Sequence, residues 1–408
     1  MARILLLLPA ATYRAPDFLA AARALGVEVV VGCDAPLAGG IPGARTVQVP
    51  LDDPEAGTAA VLSVDARSAL DAVVAVDDAG TVVAAAASAR LGLPHNPPEA
   101  VAAARDKLAM RTRLAGAEVP QPGFAVLDAD ADDDAVRAVV EGVGLPCVIK
   151  PTTLAASQGV LRADSSDEAL AVVRRVRAIA TGAGVDPGAP LLVERFAPGA
   201  EVALEGVVEH GTLRTLAVFD KPDPLDGPAF EETIYVTPSR LDDADAAAVV
   251  AVAAAATAAL GLRHGPVHAE LRVRAGRAQV IEVAARTVGG LCARALSFST
   301  GRSLEELVIA DALGLSLGDT TVAGASGVLM IPIPRPGVLV AVEGQDEARA
   351  VPGVTDLQIT IAPGRPVAPV PEGNRYLGFV FAREAGPARV ERALRRAWAA
   401  LEVRVDPL

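Results

Sequence analysis

The chain has 408 residues, 51% hydrophobic and 21% charged, which excludes intrinsic disorder; at roughly 100–200 residues per domain it holds several domains. Its 37 Lys and Arg against 50 Asp and Glu give a formal net charge of −13. That is the wrong sign for general affinity to nucleic acid or an anionic membrane, so an anionic ligand needs local cations. Three scattered cysteines, Cys33, Cys147 and Cys292, form no CxxC pair and read as buried thiols in a reducing, cytoplasmic compartment.

The apolar run Ile4–Leu8 is too short for a signal-peptide core and runs into Pro9, so it reads as a buried strand. A helix over Phe18–Leu25, a stop at Gly26 and a strand over Val27–Val31 complete a βαβ unit. A further strand, Ala72–Val76, runs into Asp77-Asp78-Ala79-Gly80 and a helix over Thr81–Leu91. Pro94, Pro97 and Pro98 then close a first domain near residue 95, whose sheet should be parallel. No GxGxxG follows the first strand, which leaves a dehydrogenase reading unsupported.

One helix is expected over Glu99–Ala115, then strand Gly123–Leu127, helix Asp133–Glu141, strand Cys147–Lys150, a Thr/Ser/Gly loop, helix Ser166–Ala180 and strand Leu191–Arg195. The acidic run Asp128–Asp134 fails as a calcium loop, since Asp133 and Val139 stand where Gly and Glu are required. Strands follow at Glu201–Val208, Leu213–Phe219, Val267–Val273 and Ala278–Val283. Between them residues 246–262 form an Ala-rich segment near the length of a membrane span, read as a packed soluble helix because Asp242, Asp243 and Asp245 crowd its start. From about Gly324 the chain reads as short strands (Gly327–Ile331, Leu357–Ile361, Tyr376–Ala382) and a final amphipathic helix, Pro387–Leu401.

The most informative stretch is the hairpin around Ala275-Gly276-Arg277. With a three-residue loop, Arg274 pairs with Ala278 and Glu270 falls opposite Glu282, while His268, Ala284 and Arg286 follow the same alternation. Facing carboxylates repel. A divalent cation, a hard ion that takes oxygen ligands, is one sufficient reason for them; a solvated face neutralised by Arg272 and Arg274 is the other. Gly289-Gly290, just past Arg286, offers backbone N–H groups to an anion.

Lysine occurs only at Lys107, Lys150 and Lys221, and a compact ammonium suits a phosphate. Lys150 ends an apolar strand before Thr152–Val160, a loop of small residues that is not a Walker loop.

Arg105-Asp-Lys107 at a helix start, Val-Ile-Lys150-Pro, Leu-Leu-Val-Glu194-Arg-Phe196 before Pro198-Gly199-Ala-Glu201, and Glu270 with Ile-Glu282-Val-Ala-Ala-Arg286 together resemble ATP-grasp carboxylate–amine ligases. Asp220–Gly227, Phe230–Tyr235 and the tail look most like the dipeptide-forming L-amino acid ligase branch. The resemblance implies an α/β and α+β chain of ATP-grasp architecture. Its parts would be an N-terminal Rossmann-like domain (1–95), a helical linker (96–120), a small lobe (121–198), a large lobe with the metal and catalytic site (199–323) and a small α+β C-terminal appendage (324–408). It implies ATP and Mg²⁺, with Mn²⁺ as an alternative, and an acyl phosphate that an amine opens, releasing ADP and phosphate. Lys107 and Lys150 would hold phosphates and Ser157, Gly159 and Val160 would close over them. Glu194 and Phe196 would line an adenine slot and Glu201 would face the ribose. Glu270 and Glu282 would ligate metal, and Arg286, Gly289 and Gly290 would hold the substrate carboxylate. Glu232, with Tyr235, falls where a substrate amino group is held, and His268 is a candidate base.

Two departures stand out: Ala284 where many relatives have a metal-binding Asn, and Ala155-Ala156 in place of loop glycines. Small carboxylates and amines such as amino acids are the expected partners, with no nucleic acid and no membrane, and a homodimer. The alternatives are another ATP-grasp ligase of purine, cofactor or secondary metabolism, or a non-catalytic ATP-binding regulator.

Overall fold

The computed structural model describes residues 1–36 and 44–407. The first unit runs β1 (Arg3–Leu8), α1 (Ala15–Ala24), β2 (Glu28–Cys33), β3 (Arg45–Gln48), α2 (Pro54–Asp65), β4 (Ala72–Ala75) and α3 (Thr81–Leu91). Its sheet, in the order β3-β2-β1-β4, is parallel throughout. As expected for a parallel sheet, β1 is an unbroken apolar run, buried from Ile4 to Leu8 and covered on both faces. The expected helix over 99–115 is two, α4 (Pro98–Arg105) and α5 (Lys107–Gly116). Asp106 breaks it: its backbone is extended and its carboxylate accepts from the Ala109 N–H, capping α5 so that Lys107 begins a helix.

The small lobe contains β5 (Phe124–Leu127), α6 (Asp133–Val143), β6 (Cys147–Pro151), β7 (Leu161–Ala163), α7 (Ser166–Gly182) and β8 (Leu191–Arg195). They form an antiparallel sheet, β5-β8-β6-β7, with α6 and α7 packed on one face. The chain then builds β9 (Ala200–Glu209), β10 (Thr212–Asp220), β11 (Ile234–Thr237), α8 (Asp243–Leu260), β12 (Gly265–Arg274), β13 (Arg277–Ala284) and α9 (Leu304–Ala312). Helix α8 packs Val249, Ala253, Ala256 and Leu260 into the core of this lobe.

The C-terminal part contributes β14 (Ala325–Ile331), β15 (Gly337–Glu343), α10 (Gln345–Arg349), β16 (Val354–Ile359), β17 (Pro366–Val367), β18 (Gly378–Glu384), α11 (Pro387–Ala400) and β19 (Glu402–Asp406). Three of its strands continue the large sheet, β13-β12-β9-β10-β11-β14-β18-β16. The tail therefore shares a core with the site-bearing strands. It also reaches back to the small lobe: the Gly159 N–H donates to the Pro371 carbonyl (2.9 Å), Gln158 Nε2 to the Glu372 carbonyl (2.9 Å), and Arg175 pairs with Glu372 (2.7 Å).

The hairpin differs in its turn. Two residues, Ala275 and Gly276, make it with φ of 51° and 74°, the left-handed pair such a turn needs, and Arg274 pairs with Arg277 rather than with Ala278. A bulge between Glu270 and Leu271 restores the lost residue, so Glu270 still faces Glu282.

Candidate active site

A cavity of about 550 Å³ lies where the units meet, within the ordinary range for a small-molecule site. It is bounded by Tyr13 and Asp78 of the first unit, Lys107 of α5, the 154–157 loop, the β12–β13 hairpin and Tyr376 of the tail.

At one end β6 and β8 pair so that Val148 faces Glu194. Lys150 Nζ lies 2.8 Å from Glu194 Oε2, while Arg111 Nε donates to Oε1 at 2.6 Å. All three are buried. Burial pushes the Glu194 carboxyl up, but the Arg111 and Lys150 charges override it and hold it down at about 2. Burial, with Arg111 and Lys107 nearby, pulls the Lys150 ammonium below its usual range against the attraction of Glu194. Lys107 Nζ donates to the Leu154 carbonyl (2.6 Å) and lies 3.4 Å from Glu282 Oε2, so it spans the loop and the hairpin. Ala156 and Ser157 both adopt left-handed backbone (φ 54° and 55°), a strained arrangement for residues with a Cβ and one that clusters at functional loops. The Phe196 ring lines the cavity with Arg162 4.4 Å from its centroid and Phe230 stacked at 6.5 Å.

In the middle, Lys221 is buried among three carboxylates: Glu201 at 2.8 Å, Glu270 at 3.5 Å, and Glu232 in direct contact. These carboxylates lie within 4.8 Å of one another, a spacing open to a metal, but the Lys221 ammonium already supplies the cation. Glu201 also takes Arg272 Nε at 2.6 Å, so both its oxygens are engaged before any ribose hydroxyl arrives. His268 donates from Nδ1 to buried Glu205 and meets Glu270 through Nε2 at 3.2 Å. Burial would lower its pKa, but the two carboxylates lift it to about 9. Both of its ring nitrogens are thus taken up by carboxylates, which ties His268, the candidate base, to Glu205 behind it and to Glu270 at the cavity.

Arg286 forms the far wall, donating through Nε to Asp78 (2.7 Å) and through Nη1 to the Thr287 carbonyl (2.9 Å). Burial opposes the Asp78 charge, yet Arg286 holds its carboxyl below the usual range. Arg14, buried in the first unit, bonds Asp77, the Val76 carbonyl and Thr287, so two contacts from that unit hold the Arg286 loop. The Tyr235 hydroxyl donates to Glu232 at 2.8 Å. Gly290 has φ 63°, and a Cβ there would stand 2.8 Å from the Phe379 ring, so no larger residue fits.

The expected residues thus line one cavity, Gly159 excepted; its N–H is spent on Pro371, where it clasps the loop from behind. A divalent ion suits Glu270 and Glu282, hard oxygen donors on adjacent strands that both reach the cavity, whereas Ala284 offers no third side-chain oxygen. Sequence reasoning missed Arg111, Glu205, Asp78 and Arg14, and gave Lys221 no role. The scarcity of lysine pointed at Lys221, and Arg111 sits one helical turn after Lys107; nothing local marked the others.

Family models described as an ATP-grasp N-terminal domain, an ATP-grasp domain and the L-amino acid ligase C-terminal domain 2 match residues 19–95, 143–295 and 329–406. An uncharacterized protein of Sinorhizobium fredii is 26% identical over 77% of this chain and 64% of its own length. An alanine–anticapsin ligase of Bacillus subtilis is 30% identical over 56% of this chain and 51% of its own length. The chain thus spans about half to two thirds of these curated relatives. The crystal structure of an L-amino acid ligase from Bacillus licheniformis superposes with a TM-score of 0.82 at 24% identity, covering 100% of this chain and 99% of that one. With its three matched segments in this order, the chain carries an ATP-grasp domain between an ATP-grasp N-terminal domain and a C-terminal domain of the L-amino acid ligase type, in the fold that the Bacillus licheniformis enzyme also has.

Proposed function

We propose that the protein is an ATP-dependent carboxylate–amine ligase that joins two amino acids, or an amino acid and an amine, through an acyl phosphate, releasing ADP and phosphate. The observation that supports it most is the gathering of Lys107, Lys150, Glu270, Glu282 and Arg286 around one cavity. Phosphoryl transfer asks mainly for positioning and charge neutralisation and needs no protein nucleophile. In this reading Lys150 and Lys107 hold the phosphates, Lys107 turning from Glu282 to do so, while the Ser157–Val160 backbone covers them. The 194–197 backbone and the Phe196 ring hold the adenine, since both Glu194 oxygens are already bonded to cations. Glu270 and Glu282 hold Mg²⁺ (or Mn²⁺), which screens the phosphate charge. Arg286 with the Gly289-Gly290 backbone holds the attacking carboxylate and Glu232 its ammonium. Closure of the small lobe, residues 121–198, keeps water from the acyl phosphate. The cytoplasm, where buried Cys33, Cys147 and Cys292 stay reduced, is the proposed location, and the homodimer remains part of this reading.

The test is ADP and phosphate release with Mg²⁺–ATP against amino acids singly and in pairs, for the parent, Arg286→Ala and Glu282→Ala. Release that requires two amino acids, yields a new amide by mass spectrometry and disappears in both variants supports the proposal. Release with a different carboxylate points to another ATP-grasp ligase. ATP binding without any release points to a regulator, the reading to which Ala284 lends weight.

A further inference from the structure

All three tyrosines of the chain, Tyr13, Tyr235 and Tyr376, line the one cavity, although they lie in the first unit, the large lobe and the tail. Only 3% of the residues are aromatic, so their convergence is not a by-product of composition. Tyr13 and Tyr376 flank Phe379, with ring centroids 5.8 and 6.3 Å from it. Phe379 is the ring against which Gly290 is pressed, and Cys292 Sγ lies 3.6 Å from the Cβ that Gly290 lacks. Buried Met330 and Cys292 complete the surface. Tyr235, its hydroxyl bonded to Glu232 and its ring 5.6 Å from Phe219, belongs to the same apolar cluster as Phe379, Met330 and Cys292 and lines the cavity. The anion-holding loop and the ammonium-holding carboxylate therefore both open onto one aromatic and sulfur-lined surface.

We infer that this wall is the side-chain pocket of the carboxylate substrate and that it selects an α-amino acid with an aromatic or large aliphatic side chain. The inference rests on the ligase reading above. Burying such a side chain against rings and sulfur is favourable through area and soft contact. A charged side chain would lose water there and would find no counter-ion left over, since Lys221 is engaged by Glu232 and Glu232 is taken up by Lys221 and the substrate's own ammonium. Glycine and serine would leave the wall uncovered.

The experiment measures kcat/KM for ADP release over a panel of amino acids with alanine as the common amine, together with calorimetric binding of phenylalanine and leucine without ATP. Phe, Tyr, Leu and Met are expected at least tenfold above Gly, Ser, Asp and Lys. Tyr376→Ala and Met330→Ala should each lower that ratio severalfold, chiefly through KM. Preference for small or charged amino acids, with release still abolished by Arg286→Ala, would overturn the pocket while leaving the ligase standing. Phenylalanine binding that weakens in Tyr376→Ala without any ADP release would keep the pocket and sink the ligase. Neither release nor binding would overturn both.

Discussion

The two ends of the cavity are built in different ways. The lysine end is built mainly from neighbouring elements: Lys150 and Glu194 lie on adjacent strands, two positions out of register, and Arg111 comes from a helix that starts four residues earlier at Lys107. The arginine end is assembled from afar, since Arg286 is held by Asp78, Thr287 by Arg14, and the wall by Tyr13 and Tyr376. The first end is centred on a buried charge cluster of the small lobe and its linker, which Arg111 ties to the Val280 and Ile281 carbonyls of β13; the second depends on side chains brought in from the first unit and the tail. Substitutions at the first should therefore act on stability and nucleotide together, and those at the second on the substrate alone.

The largest effect is expected at the lysine end. Glu194→Ala leaves Arg111 and Lys150 buried without their counter-ion and should cost about 3–5 kcal/mol, read as a lower denaturation midpoint together with lost ATP binding. A variant that stays stable would break the contrast between the ends. The same group gives a pH signature. Its pKa is lowered from 4.5 to about 2 in the folded chain, so its contribution is complete above the unfolded value and lost as pH falls through the folded one. The stability advantage of the parent over Glu194→Gln, about 3 kcal/mol at neutral pH, should shrink below pH 4.5 and vanish near pH 2. An advantage constant with pH would mean that the charge is not what stabilises.

At the arginine end, Asp78→Asn removes the charge that fixes Arg286. KM for the carboxylate substrate should rise roughly tenfold, the scale of one charge-assisted hydrogen bond, with KM for ATP moving less than twofold. A shift in the ATP term instead would show that the ends are not separable. The smallest effect is expected between them. Arg175 and Glu372 are 52% and 44% exposed, and such pairs contribute about 0.2–1 kcal/mol. Reversing either charge should raise ATP turnover uncoupled from amide formation by no more than about fivefold, and Arg175→Glu with Glu372→Arg together should restore the coupling.

The same contrast sets what could be read from the chain alone. Lys150 at the end of an apolar strand and Glu270 opposite Glu282 are consequences of strand alternation and one turn, so periodicity reached them, even though the turn was one residue shorter and a bulge made up the difference. The break at Asp106 was hidden inside an apolar helical pattern that only the cap resolves. The pairing of His268 could not be read, because its two carboxylates come one from its own strand and one from a neighbouring strand. Asp78, Arg14 and the tyrosine wall meet their partners across unit boundaries, which no spacing in the sequence encodes.

The clasp between residues 158–159 and 371–372 has a consequence for recombination. Because the segment that carries Tyr376 and Phe379 is continuous with the strap over the 154–160 loop, a graft of residues 325–406 from a relative would exchange the side-chain wall and the strap as one piece. Chimeras made at the start of β14 should inherit the donor's substrate preference and its loop fastening together, whereas a crossover placed between Glu372 and Tyr376 would mismatch them.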